Sequence, residues 1–369
     1  MARVFGRRAG YDEADVRGFV FETLGPLVGD RIRPGCRVLI KPNFLCPAPP
    51  ERAMLTHPLV LRAAAEFCLD RGANVLIADS PAMGTFDRVM SEGGFREALD
   101  GLDVVCRAFR DSKAVDVGPP FHRIEIAAEA LEADLVINLP KLKTHTQMLL
   151  TLGVKNLFGC VVGMRKPEWH LRAGIDRERF ADLLFRVAAA VRPAATILDA
   201  VLCMEGQGPG KGGTPKTLGM LLASDDAVAL DMTVCRMLGL EPDRLFTTRA
   251  ARVHGAAPEE VEVVGGLPEI RGFRLPEITP LVFGPKPLHR FMRRHLVQRP
   301  VADEGICRLC GECWRYCPAK AIAPEKGSLR FDYDRCIRCF CCLEVCPHGA
   351  LRAEETGIGR AARKLMKIP

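Results

Sequence analysis

The chain has 369 residues, of which 48% are hydrophobic and 26% are charged. This is the composition of a folded globular protein, and the length suits two or three domains. It has no run of 18 uninterrupted apolar residues and no apolar signal-peptide stretch near residue 1, so the sequence predicts a cytoplasmic protein without a transmembrane segment. The net charge of +7 is modest, and no aromatic stacking platform accompanies the basic residues, which argues against a nucleic-acid partner.

Short apolar runs alternate with helical patterns through the first 255 residues. The segment Thr56-His57-Pro58 fits a helix start as well as it fits a functional histidine. The alternation implies an α/β fold, with a mainly parallel sheet flanked by helices. Strands are predicted at 37–43, 74–80, 103–109, 122–128, 134–140 and 195–201, and helices at 57–72, 177–191, 226–238 and 243–254.

Polar side chains gather where several predicted strands end, at the sheet edge where open parallel sheets bind ligands. Pro140 cannot donate to a sheet ladder, so we expect the strand before it to stop and the following backbone to be free to contact a ligand. Lysines and amides at such an edge suit a carboxylate or phosphate. The predicted catalytic residues are His145 and Lys143, and the predicted substrate-binding residues are Lys41, Asn43, Lys141, Thr144, Lys155, Asn156 and Glu205.

The polar segments also fit simpler interpretations. The lysines could be ordinary surface residues. Few acidic residues lie between 135 and 166, however, which favours an anion site. The glycine-rich stretch 204–213 lacks the order of a P-loop, and no G-x-G-x-x-G follows the first strand, so no nucleotide-binding loop is predicted.

Nine of the sixteen cysteines lie between Cys307 and Cys346. They form two copies of C-x2-C-x2-C-x3-C-P, the pattern of bacterial ferredoxins with two [4Fe–4S] clusters, in which the fourth cysteine of each run binds the other cluster. Tetrahedral zinc is the competing interpretation. The predicted ligands are Cys307, Cys310, Cys313 and Cys346 for cluster 1, and Cys336, Cys339, Cys342 and Cys317 for cluster 2.

The remaining cysteines carry no paired spacing. Cys341 is a fifth thiol in the second run, and we interpret it as a buried or neighbouring side chain. Cys46, Cys160 and Cys203 lie near the polar segments, where buried thiols are favoured over a third metal site.

The predicted domains follow from these patterns. An α/β domain covers 1–275, and five prolines between 276 and 300 predict an extended connector over 276–302. A small α+β ferredoxin-like domain with two clusters covers 303–352. A basic tail, 353–369, ends the chain.

A succession of ordered motifs across residues 35 to 255 resembles the domain-of-unknown-function family 362. The resemblance implies an iron–sulfur protein of anaerobic-type metabolism whose large domain has no generally assigned reaction. A fainter similarity at the level of the fold links the α/β domain to the N-terminal domain of nickel-pincer lactate racemase. The motifs are VLIKPN, THP, ADSP, NLPKLKTH, TLGVKNLFG, EGQGPGKGG and DDAVALD.

Two classes of function follow. In the first, the protein is an oxidoreductase that passes low-potential electrons from the clusters to an anionic substrate or organic cofactor in the lysine-rich site, with a redox partner protein as donor. In the second, it is a non-enzymatic electron carrier or a cofactor-assembly partner of another oxidoreductase. The sequence favours the first, because a carrier needs only the ferredoxin-like part. It identifies neither the substrate nor the oligomeric state.

Overall fold

The computed structural model describes residues 1–163, 165–174, 176–277, 297–358 and 361. The strands are β1 (Ala2–Arg8), β2 (Arg37–Lys41), β3 (Asn74–Asp79), β4 (Val104–Ala108), β5 (Ser112–Asp116), β6 (Arg123–Ala127), β7 (Leu135–Asn138), β8 (Lys141–His145), β9 (Leu149–Thr151), β10 (Ala195–Gly206), β11 (Gly213–Ser224), β12 (Val261–Val264), β13 (Arg299–Ala302), β14 (Ile322–Glu325), β15 (Ser328–Phe331) and β16 (Leu351–Glu354).

Helices cover both faces of the main sheet. They are α1 (Glu13–Val28), α2 (Pro58–Leu69), α3 (Phe86–Glu92), α4 (Phe95–Ala98), α5 (Ala128–Glu132), α6 (Gly153–Asn156), α7 (Arg165–Ala173), α8 (Arg177–Val191), α9 (Ala227–Met237), α10 (Phe246–Val253), α11 (Glu312–Arg315) and α12 (Cys341–Glu344). Short 3-10 turns lie at Gly29–Arg31, Pro50–Arg52, Leu157–Cys160 and Pro242–Arg244.

The main sheet has the strand order β12-β1-β11-β10-β7-β2-β3-β4 within the described residues. Strands β10, β7, β2, β3 and β4 are parallel, whereas β11 pairs antiparallel with both β10 and β1. The predicted mainly parallel sheet flanked by helices is therefore confirmed. Among the helices in the described ranges, none combines the length and the apolar character that a bilayer crossing needs.

Alternating residues of the central strands pack into two apolar cores, one on each face of the sheet. Val38 and Ile40 of β2 pack on the side of α1 and α2, and Leu39 between them packs on the side of α8. Side chains alternate between the two faces of a strand, so a strand buried on both faces is apolar at nearly every position. This explains why an unbroken run such as VLI forms the centre of the sheet.

Most predicted elements are present, and two expectations about the sheet are wrong. The strand predicted at 122–128 forms as β6, but it pairs with β5 in a separate hairpin. After β7 ends at Asn138, the segment past Pro140 is not free backbone. It forms β8, which pairs with β10 on one side and with β9 on the other, and these pairings satisfy its backbone groups.

The C-terminal part, residues 297–358, which we call the ferredoxin module, contains two small antiparallel sheets. Strand β13 pairs with β16, in a register that sets Arg299 against Glu354. Residues 299–302 thus pair with residues 351–354, next to the predicted limits of the ferredoxin-like domain at 303 and 352. The extended connector predicted from the prolines falls mostly outside the described residues.

Candidate functional site

The cysteines of the two runs lie near one another in the ferredoxin module, close enough to influence each other's pKa. Burial raises the pKa of the Cys313 thiol, and the nearby Cys346, Cys307 and Cys310 sulfurs raise it further. Cys346 comes from the second run of the sequence, and its influence on Cys313 supports the crossover that the spacing predicts, which stays a prediction.

Cys342 lies among sulfurs of both runs. Burial raises the pKa of the Cys342 thiol, and the nearby Cys339, Cys336, Cys317 and Cys313 sulfurs raise it further. Two backbone amides donate to the crossing sulfurs, Ala321 to Cys317 and Ala350 to Cys346, each at 3.3 Å. Two sets of four thiols, with N–H groups donating to sulfur, fit two [4Fe–4S] clusters, which are held by four thiolates each and tuned by such hydrogen bonds.

The structure gives Cys341 a definite place. Its thiol hydrogen-bonds to the sulfur of Cys339, which is the main reason that its pKa is raised. Cys341 is buried, and it also lines a cavity between the ferredoxin module and the α/β domain. The fifth thiol therefore lies between the second group of cysteines and that cavity.

The cavity has a volume of about 90 Å³ and is formed by residues of both parts of the chain. From the α/β domain, strand ends and the short helices after β9 contribute lysines and amides. From the ferredoxin module, α12 and the residue after α11 close the other side. Its polar wall consists of Lys41, Asn43, Asp79, Ser80, Lys143, Thr151, Lys155, Asn156, Lys166, His170, Tyr316, Cys341 and Glu344.

The β8–β9 hairpin positions two of these side chains. Lys143 of β8 lies directly opposite Thr151 of β9, so the two side chains are neighbours on one face. The Lys143 ammonium donates to Oδ1 of Asn43 at 2.6 Å and to the carbonyl of Met54 at 2.7 Å. Lys143 is only 1% exposed, and this burial lowers its pKa to about 7 even though the ammonium has polar partners.

The other cavity lysines differ in how they are paired. Lys41 forms a buried ion pair of 2.9 Å with Asp79, and Lys166 donates to the carbonyl of Ser80. Burial lowers the pKa of Lys166 to about 8. Lys155 makes no hydrogen bond or ion pair with any residue that the structure describes. The positive charge of the wall therefore exceeds its negative charge, which favours an anion.

An amide chain fixes the floor of the cavity. Asn43 donates to Oδ1 of Asn156 at 2.8 Å, and Asn156 donates to Oδ1 of Asn138 at 2.8 Å. These contacts tie the loop after β2 to α6 and to the end of β7. The geometry thus brings together Lys41, Asn43, Lys143, Lys155 and Asn156 from the set predicted by the sequence.

His145 lies beside the cavity and contacts the ferredoxin module. Its Nδ1 accepts from the backbone N–H groups of Gln147 and Met148, which leaves the imidazole proton on Nε2. Nε2 is 3.0 Å from Oε1 of Glu344. Burial, followed by the charge of Lys155, lowers the pKa of His145 to about 4, so the ring is neutral at pH 7.

Three predicted site residues hold the protein together instead of lining the cavity. Lys141 donates to Asp199 at 2.7 Å and to the hydroxyl of Tyr11 at 2.6 Å. Thr144 accepts from the backbone N–H of Gly208 at 3.3 Å. Glu205 binds the Arg274 guanidinium at 2.6 Å, on the outer side of the sheet edge. Their polar groups are already satisfied by neighbours.

The cavity also contains polar residues that sequence reasoning missed. Thr151 is the first residue of the motif TLGVKNLFG, of which only Lys155 and Asn156 are predicted to bind substrate, and Lys166 and His170 lie on α7, away from any predicted strand end. The spacing of Lys166, Pro167 and His170 does not predict a site. Only the shortage of acidic residues before 166 pointed towards this region.

The glycine-rich stretch docks the ferredoxin module. A Cβ atom on Gly210 would lie 3.1 Å from the carbonyl oxygen of Leu343 and 3.3 Å from that of Glu344. Beside it, the Lys211 ammonium donates to the carbonyl of Pro347. Glycine is therefore needed at 210 because backbone meets backbone there.

Comparison with known proteins assigns both parts of the chain. Residues 38–236 match a family described as "Domain of unknown function (DUF362)". Residues 299–347 match a family described as "4Fe-4S dicluster domain". The second match agrees with the two groups of cysteines and supports a role in electron transfer.

Three individual proteins illustrate these similarities. The thylakoid-associated protein sll1697 of Synechocystis sp. is 36% identical over 305 residues, which is 80% of this chain and 95% of that protein. The pyruvate synthase subunit PorD of Thermotoga maritima is 43% identical over 56 residues, covering 15% of this chain and 57% of the subunit. The lactate racemase apoprotein of Thermoanaerobacterium thermosaccharolyticum aligns with a TM-score of 0.44 at 15% identity, over 64% of this chain and 56% of that one.

Proposed function

The chain belongs to the DUF362 family, and from its dicluster domain and the adjoining cavity we propose that it is an oxidoreductase delivering electrons to an anionic small molecule. The anion binds between the α/β domain and the ferredoxin module. The bound [4Fe–4S] clusters supply one-electron transfer at low potential. A redox partner protein is the source of the electrons.

One observation carries the proposal, namely that the lysine cavity and the second group of cysteines share a wall. Tyr316 and Cys341 line the cavity. Each is next in sequence to a cysteine of that group, Cys317 and Cys342 respectively. An anion in the cavity therefore lies beside cluster 2, separated from its sulfurs by single side chains.

The chain's own residues suit an acceptor that becomes more negative on reduction. Lys143 and Lys155 supply positive charge in a site closed by two domains, where electrostatic stabilisation is stronger than in water. Asn43 orients the Lys143 ammonium. We assign the proton-donating role to His145; because its ring is neutral at pH 7, it must first take up a proton, and Glu344 at 3.0 Å stabilises the imidazolium that forms.

A carrier without a substrate is the second candidate. Cys310 is exposed, and Ile306, next to Cys307 in the sequence, is 45% exposed, so the first run of cysteines reaches the surface where a partner protein can dock. The electron transport protein HydN of Escherichia coli, 36% identical over 53 residues, resembles the ferredoxin module alone. We propose for both candidates a cytoplasmic location and a role in anaerobic metabolism.

The decisive experiment compares reoxidation of the reduced clusters in two double variants. Lys143→Met with Lys155→Met removes the free charge of the cavity, and Lys113→Met with Lys326→Met removes two exposed lysines. Protein reduced with dithionite receives the small-molecule fraction of a cell extract. We expect the cavity variant to reoxidise at least about tenfold more slowly than wild type and the control variant to match wild type.

Iron content and far-ultraviolet circular dichroism of both variants provide the check on folding. Equal reoxidation rates in all three proteins would contradict the proposed substrate site and favour the carrier.

A further inference from the structure

Two neutral polar groups in the cavity wall have no hydrogen-bond partner in the described parts of the chain. They are Oγ1 of Thr151 and Nδ1 of His170. Both residues are deeply buried, at 4% and 6% exposure. A buried polar atom without a partner is costly, and most such atoms in proteins are satisfied. Two of them in one small cavity point to a ligand that completes them.

The surroundings of His170 keep its ring uncharged. The imidazole packs against Phe158 and Phe180, with ring centroids 5.8 and 4.2 Å away. Burial lowers the pKa of His170, while Lys155 and His145 act in the same direction and Glu344 opposes them. A neutral imidazole donates from one nitrogen and accepts at the other, so it recognises polar groups that carry no charge.

The position of Thr151 links this neutral pair to the lysines. Thr151 lies opposite Lys143 across the β8–β9 hairpin, so the two side chains are neighbours and the Thr151 hydroxyl lies near the ammonium that attracts an anion. A ligand that spans both must have a charged end and, within a few bonds of it, an uncharged polar group. The cavity of about 90 Å³ restricts it to a small molecule.

We propose that Thr151 and His170 form a neutral subsite that recognises a hydroxyl or carbonyl group on a small organic anion, whose charged end is bound by Lys143 and Lys155. This rests on the proposed function and specifies its substrate class. A cationic group on the ligand is disfavoured, because the surrounding lysines repel it. An inorganic anion leaves both neutral groups unpaired.

Acetate and glycolate test the subsite, because they differ by one hydroxyl and share a carboxylate. Their dissociation constants are measured by anaerobic calorimetry on the full-length, cluster-loaded protein, with inorganic phosphate as a third probe. We expect glycolate to bind about tenfold more tightly than acetate, the typical effect of one or two neutral hydrogen bonds. Thr151→Val and His170→Phe should each reduce that preference and leave acetate binding unchanged.

A matched control is available in Thr146. Its Oγ1 is also buried without a partner among the described residues, but Thr146 does not line the cavity. Thr146→Val therefore makes the same chemical change away from the subsite, and it should keep the preference for glycolate. Thr151→Val should fold at least as well as wild type, since the lost hydroxyl has no partner, and its melting temperature verifies this.

The outcomes separate the two proposals. Equal binding of acetate and glycolate, or a preference that survives both Thr151→Val and His170→Phe, overturns the subsite and leaves the anion site intact. The absence of binding by all three probes contradicts the proposed function itself, and the subsite with it. Loss of the preference in Thr146→Val as well would show a general change in packing and would also overturn the assignment.

Discussion

Nε2 of His145 lies 3.0 Å from Oε1 of Glu344, and this contact joins the α/β domain to the ferredoxin module. His145 ends β8, and Glu344 ends α12, two residues before Cys346. Although burial opposes it, His145 and Lys155 hold the pKa of Glu344 below its ordinary value. The carboxylate therefore stays charged beside the cavity, where it is the module's own contact with the basic wall.

Glu344→Gln should loosen the docking of the ferredoxin module. The amide keeps the shape but loses the charge that attracts Lys155, and breaking a buried charge contact is more costly than breaking an exposed one. We expect faster hydrogen exchange in β8, β9 and α12, with iron content unchanged. The control is Glu168→Gln, whose partner Arg172 is exposed on α7. Equal exchange in both variants would show that the contact contributes nothing to docking.

Gly210→Ala should separate the same two surfaces by a steric route. The added Cβ would meet backbone carbonyl oxygens of α12 at 3.1 and 3.3 Å, which are tighter than ordinary contacts and cannot be relieved by a side-chain rotation. Gly10→Ala is the matched control, because a Cβ added at Gly10 would have nothing within 4 Å and its backbone φ is not positive. We expect hydrogen exchange in β8, β9 and α12 to accelerate only in Gly210→Ala. Identical exchange in both variants would contradict a docking role for the glycine-rich stretch.

The sequence predicts the cluster cysteines and most central strands because both signals are local. Three-residue spacing fixes the cysteines, and an apolar run such as VLI before Lys41 fixes a buried strand. Strand β8 was missed because its polar letters, KLKTH, have no apolar face. It forms because Lys143 and His145 find buried partners in distant segments, and such partners cannot be read from the segment itself.

The cavity was predicted only in part, for a related reason. Lys41 and Lys143 follow predicted parallel strands, so the rule that ligands bind at the carboxyl ends of such strands selects them. The same rule also selects Lys141, whose charge is paired with Asp199. The two residues are 58 positions apart in the chain, so the sequence around Lys141 does not reveal the ion pair. His170 can be recognised as a cavity residue only once α7 is packed against the sheet.

The two neighbouring cysteines Cys341 and Cys342 should respond differently to removal. Cys342 keeps the three-residue step to Cys346 and lies among the sulfurs of the second group, whereas Cys341 hydrogen-bonds to one of them. Wild-type protein should contain about eight irons, Cys341→Ala should retain them, and Cys342→Ala should keep about four. Iron and sulfide analysis of anaerobically purified protein gives the answer.

The crossover has its own test in Cys317→Ala, which should damage the same cluster as Cys342→Ala and give the same electron paramagnetic resonance spectrum. Loss of iron in Cys341→Ala to the level of Cys342→Ala would show that the fifth thiol is a ligand. Stoichiometric zinc without iron in reconstituted protein would contradict both predictions.

The pKa of Lys143 predicts opposite effects of pH on binding and on stability. Burial lowers it from 10.5 to about 7, so the charged form that attracts an anion is present below pH 7 and is lost as the pH rises. Glycolate affinity should therefore fall above pH 7, by up to about tenfold per pH unit, and Lys166 should extend the fall above pH 8.

Between pH 7 and 10.5 the unfolded chain holds a proton that the folded ligand-free protein lacks, so the free energy of unfolding should rise with pH there. Lys143→Arg keeps its charge, so it should flatten both the affinity profile and the stability profile between pH 6 and 9. Calorimetry measures the first and urea unfolding the second. Unchanged profiles in that variant would show that another group is responsible.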